Sequence, residues 1–394
     1  MKGLGYFMTA FVNADGSNPY FPEIKKNFGF GCMRLPMKLK VKVDYKEFCK
    51  MIDTFMEAGF NYFDTAHGYV ATQSETSIRD CLSKRYPRES FVLTNKLSSN
   101  LFKTEEDIRP FFEKQLKFCG VDYFDFYLMH AQSAENYPKY KAANAYNVAF
   151  ELKKEGKIRH VGLSFHDKAD VLDMILNENP DIEVVQLQFN YRDYDDAGVQ
   201  GRDCLEVCRK HKKPVIVMEP VKGGALVNLP KSAKDIFDSL GSDKSYASYA
   251  IRYAAGFDGI CMVLSGMSNM EQMNDNLSFM TDFEPLNERE TEAVNKVSAI
   301  LKNSDIIQCT ACRYCTAGCP KGINIPELFA CLNAKKQDKG PIKWNSRQYY
   351  NAHVKNGGRA KDCIGCGKCE EICPQQLPIR NLLKDVSKEF DRKI

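Results

Sequence analysis

The chain has no uninterrupted apolar run approaching the ~20 residues that a membrane-spanning helix requires, so its 394 residues are expected to fold in water, with no membrane partner. It has no basic stripe either. The net charge is only +4, and acids and bases are interspersed in runs such as Lys153-Lys154-Glu155 and Asp193 to Asp196, which read as solvated faces and exclude the electrostatic footprint of a nucleic-acid binder. A secretory n/h/c pattern is missing, so its 16 cysteines are not expected to form a disulfide framework but to lie reduced in an oxygen-poor cytoplasm. Also missing is a G-x-G-x-x-G after the first apolar run, the fingerprint of an open dinucleotide-binding sheet. With 44% apolar and 27% charged residues, the length suits one large domain and one small one.

Half of the cysteines are not scattered. The C-terminal part reads Cys309-Thr-Ala-Cys312-Arg-Tyr-Cys315-Thr-Ala-Gly-Cys319-Pro320 and repeats the spacing as Cys363-Ile-Gly-Cys366-Gly-Lys-Cys369-Glu-Glu-Ile-Cys373-Pro374. Two copies of C-x2-C-x2-C-x3-C-P are the bacterial-ferredoxin arrangement for [4Fe–4S] cubanes, in which the fourth Cys of each run ligates the other cluster. The expected sets are therefore crossed: Cys309, Cys312, Cys315 and Cys373 for one cluster, and Cys363, Cys366, Cys369 and Cys319 for the other. Structural zinc is the competing reading, but it needs only four ligands from two pairs and has no use for a third Cys in each run. The remaining eight, at 32, 49, 81, 119, 204, 208, 261 and 331, read as small buried hydrophobes.

From Asn27 the sequence alternates short apolar runs with longer amphipathic ones. The apolar runs are FGFGCM (28–33), FNYFDT (60–65), FVLTNK (91–96), FDFYLMH (124–130), IRHVGLSF (158–165), EVVQLQFN (183–190), PVIVMEP (214–220) and GICMVLSG (259–266). Near-continuous apolar strands separated by helical patterns predict parallel β-structure covered on both faces, and eight such units predict a (β/α)8 barrel, with a doubly wound open sheet as the alternative. A helix is expected after Thr104-Glu105-Glu106-Asp107, carried by Ile108, Phe111, Phe112 and Leu116. The expected organisation is an irregular extension (1–26), the barrel (27–303) and a small, mainly helical cluster domain (304–394).

In a barrel the chemistry sits at the C-terminal ends of the strands. There the sequence places Asp64-Thr65-Ala66-His67-Gly68-Tyr69, then Asn95-Lys96, then Met129-His130. Asp, Tyr five positions on, Lys after a third strand and His after a fourth resembles the catalytic tetrad of the aldo-keto reductases, a resemblance that spans roughly residues 25 to 300. A tyrosine with an ordinary pKa near 10 is a poor acid at neutral pH until a cation stabilises its phenolate. The resemblance makes Lys96 that cation, Asp64 its anchor, Tyr69 the proton donor and His130 the residue that orients the substrate, with His rather than Glu at this place implying carbonyl/alcohol chemistry.

The same resemblance implies a nicotinamide cofactor, NAD or NADP. Ser164 and Gln186 would hold its carboxamide, although Phe165 stands where the family has Asn. Met218 would lie against the nicotinamide ring, and Pro220, Lys222 and Gly223 would cradle the pyrophosphate. Asp275 and Asn276 match the adenine contacts, while Gly266, Met267 and Gln272 occupy the places of residues that usually grip a 2′-phosphate, so weak discrimination between the two nucleotides is expected. Aldo-keto reductases with a C-terminal ferredoxin-like dicluster module are similar to nearly the whole chain. The implied substrate is a small carbonyl or alcohol, and a ferredoxin-type electron carrier is a candidate partner. Hydride moves two electrons and a cubane one, and the chain has no flavin signature, so the clusters read either as electron carriers or as structural braces. Two alternatives stay open: a ferredoxin-fed reductase with little nicotinamide use, and a redox or nucleotide sensor with little turnover. Trp344, Tyr349 and Tyr350 are expected either to wall the substrate pocket or to pack inside the small domain.

Overall fold

The computed structural model describes residues 18–39, 41–303, 305–337, 344–355 and 357–391, with only the backbone of Gln337, Trp344 and Asn345. Eight parallel strands close into a barrel: β1 (Phe28–Gly31), β2 (Tyr62–Asp64), β3 (Val92–Leu97), β4 (Phe124–Gln132), β5 (Ile158–Phe165), β6 (Val184–Gln188), β7 (Val215–Met218) and β8 (Ile260–Ser265). β1 closes the ring by pairing with both β2 (Gly29↔Tyr62) and β8 (Phe28↔Val263). Every predicted apolar run overlaps one of these strands, and closure excludes the open-sheet alternative. The strands are buried on both faces, which is why they read as continuous apolar runs rather than alternating ones.

Close packing inside the ring is strictest at Gly162 of β5, where a Cβ would fall 2.5 Å from Val184 Cγ1 and 2.6 Å from the Val184 carbonyl oxygen. The expected helix runs over Ile108–Cys119, preceded by a 3-10 turn (Glu105–Asp107). The Asp107 carboxylate accepts from the Lys103 and Thr104 amides at 2.8 and 3.1 Å, the capping expected of an acidic first turn. No helix among the described residues is long and apolar enough to cross a membrane.

Residues 18–26 are not an extension apart from the barrel. Phe21 and Ile24 are buried in one apolar cluster with Tyr62, Phe126, Leu128, Val184, Ile216 and Met262. Phe21 meets the Phe126 ring edge-on at 4.9 Å and the His160 ring at 4.7 Å, and Glu23 Oε1 lies 2.6 Å from His160 Nε2. Residues 1–17 of the expected extension lie outside the described residues. Burial alone would lower the His160 pKa, but hydrogen bonds to Glu183 and Glu23 outweigh it and raise the pKa to about 9. A raised histidine stabilises the fold fully below its unfolded value near 6.5 and loses that contribution as pH rises through about 9. The barrel of the wild type is therefore expected to lose about 2 kcal/mol between pH 6.5 and 9 that a His160→Gln variant does not lose, read as the difference in Tm across that window.

The second compact unit comprises Val221–Gly241 and Asn295 onward. Its core joins Ile307, Leu328, Phe329 and Leu332 to Ile379, Leu383, Val386 and Phe390. Tyr350 belongs to that core: it is fully buried, stacks on Phe390 at 4.7 Å and donates its hydroxyl to Asp391 Oδ1 at 2.8 Å. Tyr349 is exposed, and the side chain of Trp344 lies outside the described residues. Of the two roles expected for these aromatics, Tyr350 has the internal packing one.

Candidate active site and candidate metal centres

The ends of β2, β3 and β4 bring the four tetrad residues together. Lys96 is fully buried in β3, and its Nζ donates to Asp64 Oδ1 at 2.6 Å and to the Thr65 carbonyl at 2.9 Å. The same ammonium lies 4.9 Å from the centre of the Tyr69 ring. Burial pulls Lys96 below the ordinary ammonium range against the attraction of Asp64, so its proton is held less tightly than that of a solvated lysine. Asp64 Oδ2 accepts from Gln186 Nε2 at 3.0 Å, which fixes the carboxylate from a second strand.

Tyr69 is presented by a strained loop. Val70, Ala71 and Thr72 follow it with φ of 51°, 50° and 69°, three consecutive left-handed residues without a glycine. Such conformations cost about 1–3 kcal/mol each and persist only where the surroundings hold them. Here the anchors are the Thr65 and Ser74 hydroxyls, 2.7 Å apart, Ser74 donating to the Cys32 carbonyl at 2.9 Å, and His67 Nδ1 2.7 Å from Glu75 Oε2. Glu75 is completely buried and also accepts from Asn95 Nδ2 at 2.9 Å and Gln115 Nε2 at 3.2 Å. Glu75 is absent from the sequence-based list because a carboxylate on a polar helical segment carries no local sign of burial.

His130 sits in a β-bulge. β4 and β5 pair Met129↔Leu163 and then Gln132↔Phe165, so β4 holds one extra residue, and Ala131 takes φ 53°. A bulge re-aims a side chain at a sheet rim. Ser98 Oγ meets His130 Nδ1 at 2.6 Å and fixes the ring, which faces Tyr69 with centroids 6.2 Å apart at 77°. Burial, then Lys96 and His166, hold the His130 pKa well below the usual value, so the ring is neutral at pH 7.

The expected nucleotide contacts divide. Ser164 Oγ accepts from the Ala131 amide at 2.8 Å, and Met218 closes β7 half-buried with Pro220 just beyond it. Asn276 donates to Ser265 Oγ at 2.8 Å and Asp275 accepts from Ser245 Oγ at 2.8 Å. Arg34, which sequence reading missed, lies beside Gly266, its Cβ 3.5 Å from where a side chain at that position would begin. Lys222 and Gly223 have a different neighbourhood from the one expected. Lys222 is buried, its Nζ donates to Gln375 Oε1 at 2.7 Å, and a Cβ on Gly223 would fall 2.6 Å from the Thr310 carbonyl oxygen. Both residues therefore have neighbours from the cysteine loops.

In the second unit the cysteines line two cavities. One, about 320 Å3 including space open to solvent, is walled by Cys309, Cys312, Cys315 and Cys373; the other, about 340 Å3, by Cys363, Cys366, Cys369 and Cys319. No three His, Cys, Asp or Glu side chains among the described residues close around a single ion; the thiols surround a space instead. The two loops share a backbone form. Ala311 and Arg313 have φ of 53° and 66°, and the equivalent Gly365 and Gly367 have 72° and 82°. Each loop then enters a four-residue helix, Tyr314–Ala317 or Lys368–Glu371. Left-handed backbone of this kind recurs in the anion-binding turns of many iron–sulfur sites. Burial raises the thiols of Cys309 and Cys315 to about 11 and about 12 and that of Cys369 to about 11, so ligation there must release protons.

A closed eight-stranded barrel with Asp, Tyr, Lys and His gathered at its strand ends, joined to a dicysteine-loop unit, defines an oxidoreductase of mixed architecture. Residues 27–299 match the aldo/keto reductase family and residues 308–377 a 4Fe-4S dicluster domain. The chain belongs to the aldo/keto reductase family and carries a C-terminal 4Fe-4S dicluster domain. It is 22% identical over 279 residues to the uncharacterized oxidoreductase YqkF of Bacillus subtilis, covering 63% of this chain and 85% of that protein. It is 31% identical over 197 residues to the NADH-specific methylglyoxal reductase of Escherichia coli, covering 44% of this chain and 57% of that protein. The holo form of an aldo-keto reductase from Bacillus halodurans shares the fold with a TM-score of 0.56 at 24% identity, over 69% of this chain and 91% of that one. A Klebsiella pneumoniae aldo/keto reductase in complex with NADP and acetate gives 0.57 at 17%, over 71% and 92%.

Proposed function

We propose that the protein is a nicotinamide-dependent reductase of small carbonyl compounds that also carries two [4Fe–4S] clusters, ligated in the crossed sets Cys309, Cys312, Cys315, Cys373 and Cys363, Cys366, Cys369, Cys319. The observation that carries the reading is Lys96, held by Asp64 at 2.6 Å with its ammonium 4.9 Å from the Tyr69 ring. When bound, the nicotinamide supplies a hydride to the carbonyl carbon. Tyr69 then gives its phenolic proton to the carbonyl oxygen, and the phenolate left behind is stabilised by the buried cation beside it. Asp64 keeps that cation in place, and Gln186 keeps Asp64 in place. Neutral His130 has one ring nitrogen engaged by Ser98, leaving the other edge to orient the substrate oxygen.

The residues fit a nicotinamide at the ends of β5 to β7, where Ser164 and Gln186 offer polar atoms and Met218 an apolar surface. They also fit cubanes, since eight thiols surround two spaces rather than single points. With Lys222 donating to Gln375, Arg34 is the cation beside the β8 loop, and it already pairs with Glu219 at 3.5 Å. NADH and NADPH are accordingly expected to serve within about tenfold of each other, since one shared cation offers a 2′-phosphate about one charge-assisted bond. The test uses anaerobically prepared protein, NADH or NADPH deuterated at the transferable position, and a panel of small aldehydes and ketones. The expected product is an alcohol with deuterium on the former carbonyl carbon. No labelled alcohol from either nucleotide would remove the hydride chemistry from this chain.

A further inference from the structure

The polar groups at the ends of β5 and β6 are not equally free to meet a ligand. Ser164 Oγ already accepts from the Ala131 amide, and Gln186 Nε2 already donates to Asp64. His166 lies one residue beyond β5, with its backbone amide donating to the Gln132 carbonyl at 3.0 Å, which ties it to the bulged end of β4. Its side-chain Nδ1 is buried and has no hydrogen-bond partner. Leaving such a group without a hydrogen bond is unfavourable, and a buried orphan of this kind calls for an explanation. Phe165, between Ser164 and His166, is fully packed.

We propose that His166 is a cofactor-binding residue whose Nδ1 hydrogen-bonds the carboxamide of the bound nicotinamide, supplying the bond that Phe165 at the neighbouring position does not. The assignment rests on the hydride-transfer reading above. The ring's chemistry suits the task. Burial and then Lys96 lower its pKa to about 4, so at pH 7 it is neutral and offers one donor and one acceptor nitrogen to an amide that has both. Lys96 lowers the pKa of both His166 and His130, so both rings lie within electrostatic reach of the same buried ammonium.

The test compares two probes on the full-length, cluster-loaded protein: NADH, and ADP-ribose, which lacks the nicotinamide. His166→Ala is expected to weaken NADH binding about tenfold while leaving ADP-ribose within about twofold, and His166→Asn, which keeps an amide at that place, is expected to recover part of the loss. Equal weakening of both probes in His166→Ala and in His166→Asn would assign the ring a structural role and overturn the proposal. Unchanged NADH binding in His166→Ala would overturn it too, while leaving the hydride-transfer reading standing. A wild type that binds ADP-ribose but not NADH would overturn both.

Discussion

Tyr69→Phe is expected to lower kcat for carbonyl reduction by about a thousandfold while NADH dissociation stays within about twofold of wild type. The hydroxyl acts on the transition state, where charge develops on the carbonyl oxygen, and it contributes little to holding a nucleotide. Phe preserves the ring that packs beside the Lys96 ammonium, so the loop of left-handed residues 70–72 keeps its anchors. Lys96→Met would be a poorer test. Removing the ammonium leaves Asp64 as a buried carboxylate whose ion pair is gone, and breaking a buried pair in this way costs about 3–5 kcal/mol, enough to confuse lost chemistry with lost fold. Single-turnover kinetics with deuterated nucleotide separate the outcomes. A Tyr69→Phe protein with wild-type turnover would move the chemistry away from the tetrad and favour electron delivery through the cysteine loops.

The barrel was legible because parallel strands covered on both faces leave unbroken apolar runs, and all eight overlap a strand of the closed ring. The juxtaposition of Asp64, Lys96 and His130 was legible for a related reason: all three are polar residues at or near the C-terminal ends of those runs. What escaped is tertiary in nature. Phe21 and Ile24 follow no period, so nothing in the sequence near them announces that they fill the barrel core. Glu75 and His166 look like ordinary polar residues, and only the packing reveals a completely buried carboxylate and an orphaned ring nitrogen. The one local signal for His166 was Phe165, whose presence left a hydrogen bond to be supplied from elsewhere. The neighbours of Lys222 and Gly223 escaped as well, because Gln375 and Thr310 lie far along the chain, and a Pro-Gly loop after a strand looks the same whether it faces a phosphate or a protein backbone.

Cys319→Ala is expected to halve the iron content, from about eight irons per chain to about four, because the structure groups Cys319 with Cys363, Cys366 and Cys369 and not with the three cysteines that precede it in sequence. The reason lies in the chain direction after each third thiol. Cys315 and Cys369 both lie in four-residue helices that end just before the fourth cysteine, and Pro320 and Pro374 then prevent the helices from continuing. The fourth thiol of each run is thereby delivered to the other cavity, Cys319 to one and Cys373 to the other. Cys331 supplies the control: it is buried in the same apolar core, lines neither cavity, and its replacement by Ala should leave the iron unchanged. The surviving cluster in Cys319→Ala must be the one held by Cys309, Cys312, Cys315 and Cys373. The double variant Cys319→Ala/Cys366→Ala should therefore lose no more iron than the single one, whereas Cys319→Ala/Cys312→Ala should lose nearly all of it. If instead the second pairing behaves like the single variant and the first removes all iron, ligation runs within each sequence motif and the crossed assignment is wrong.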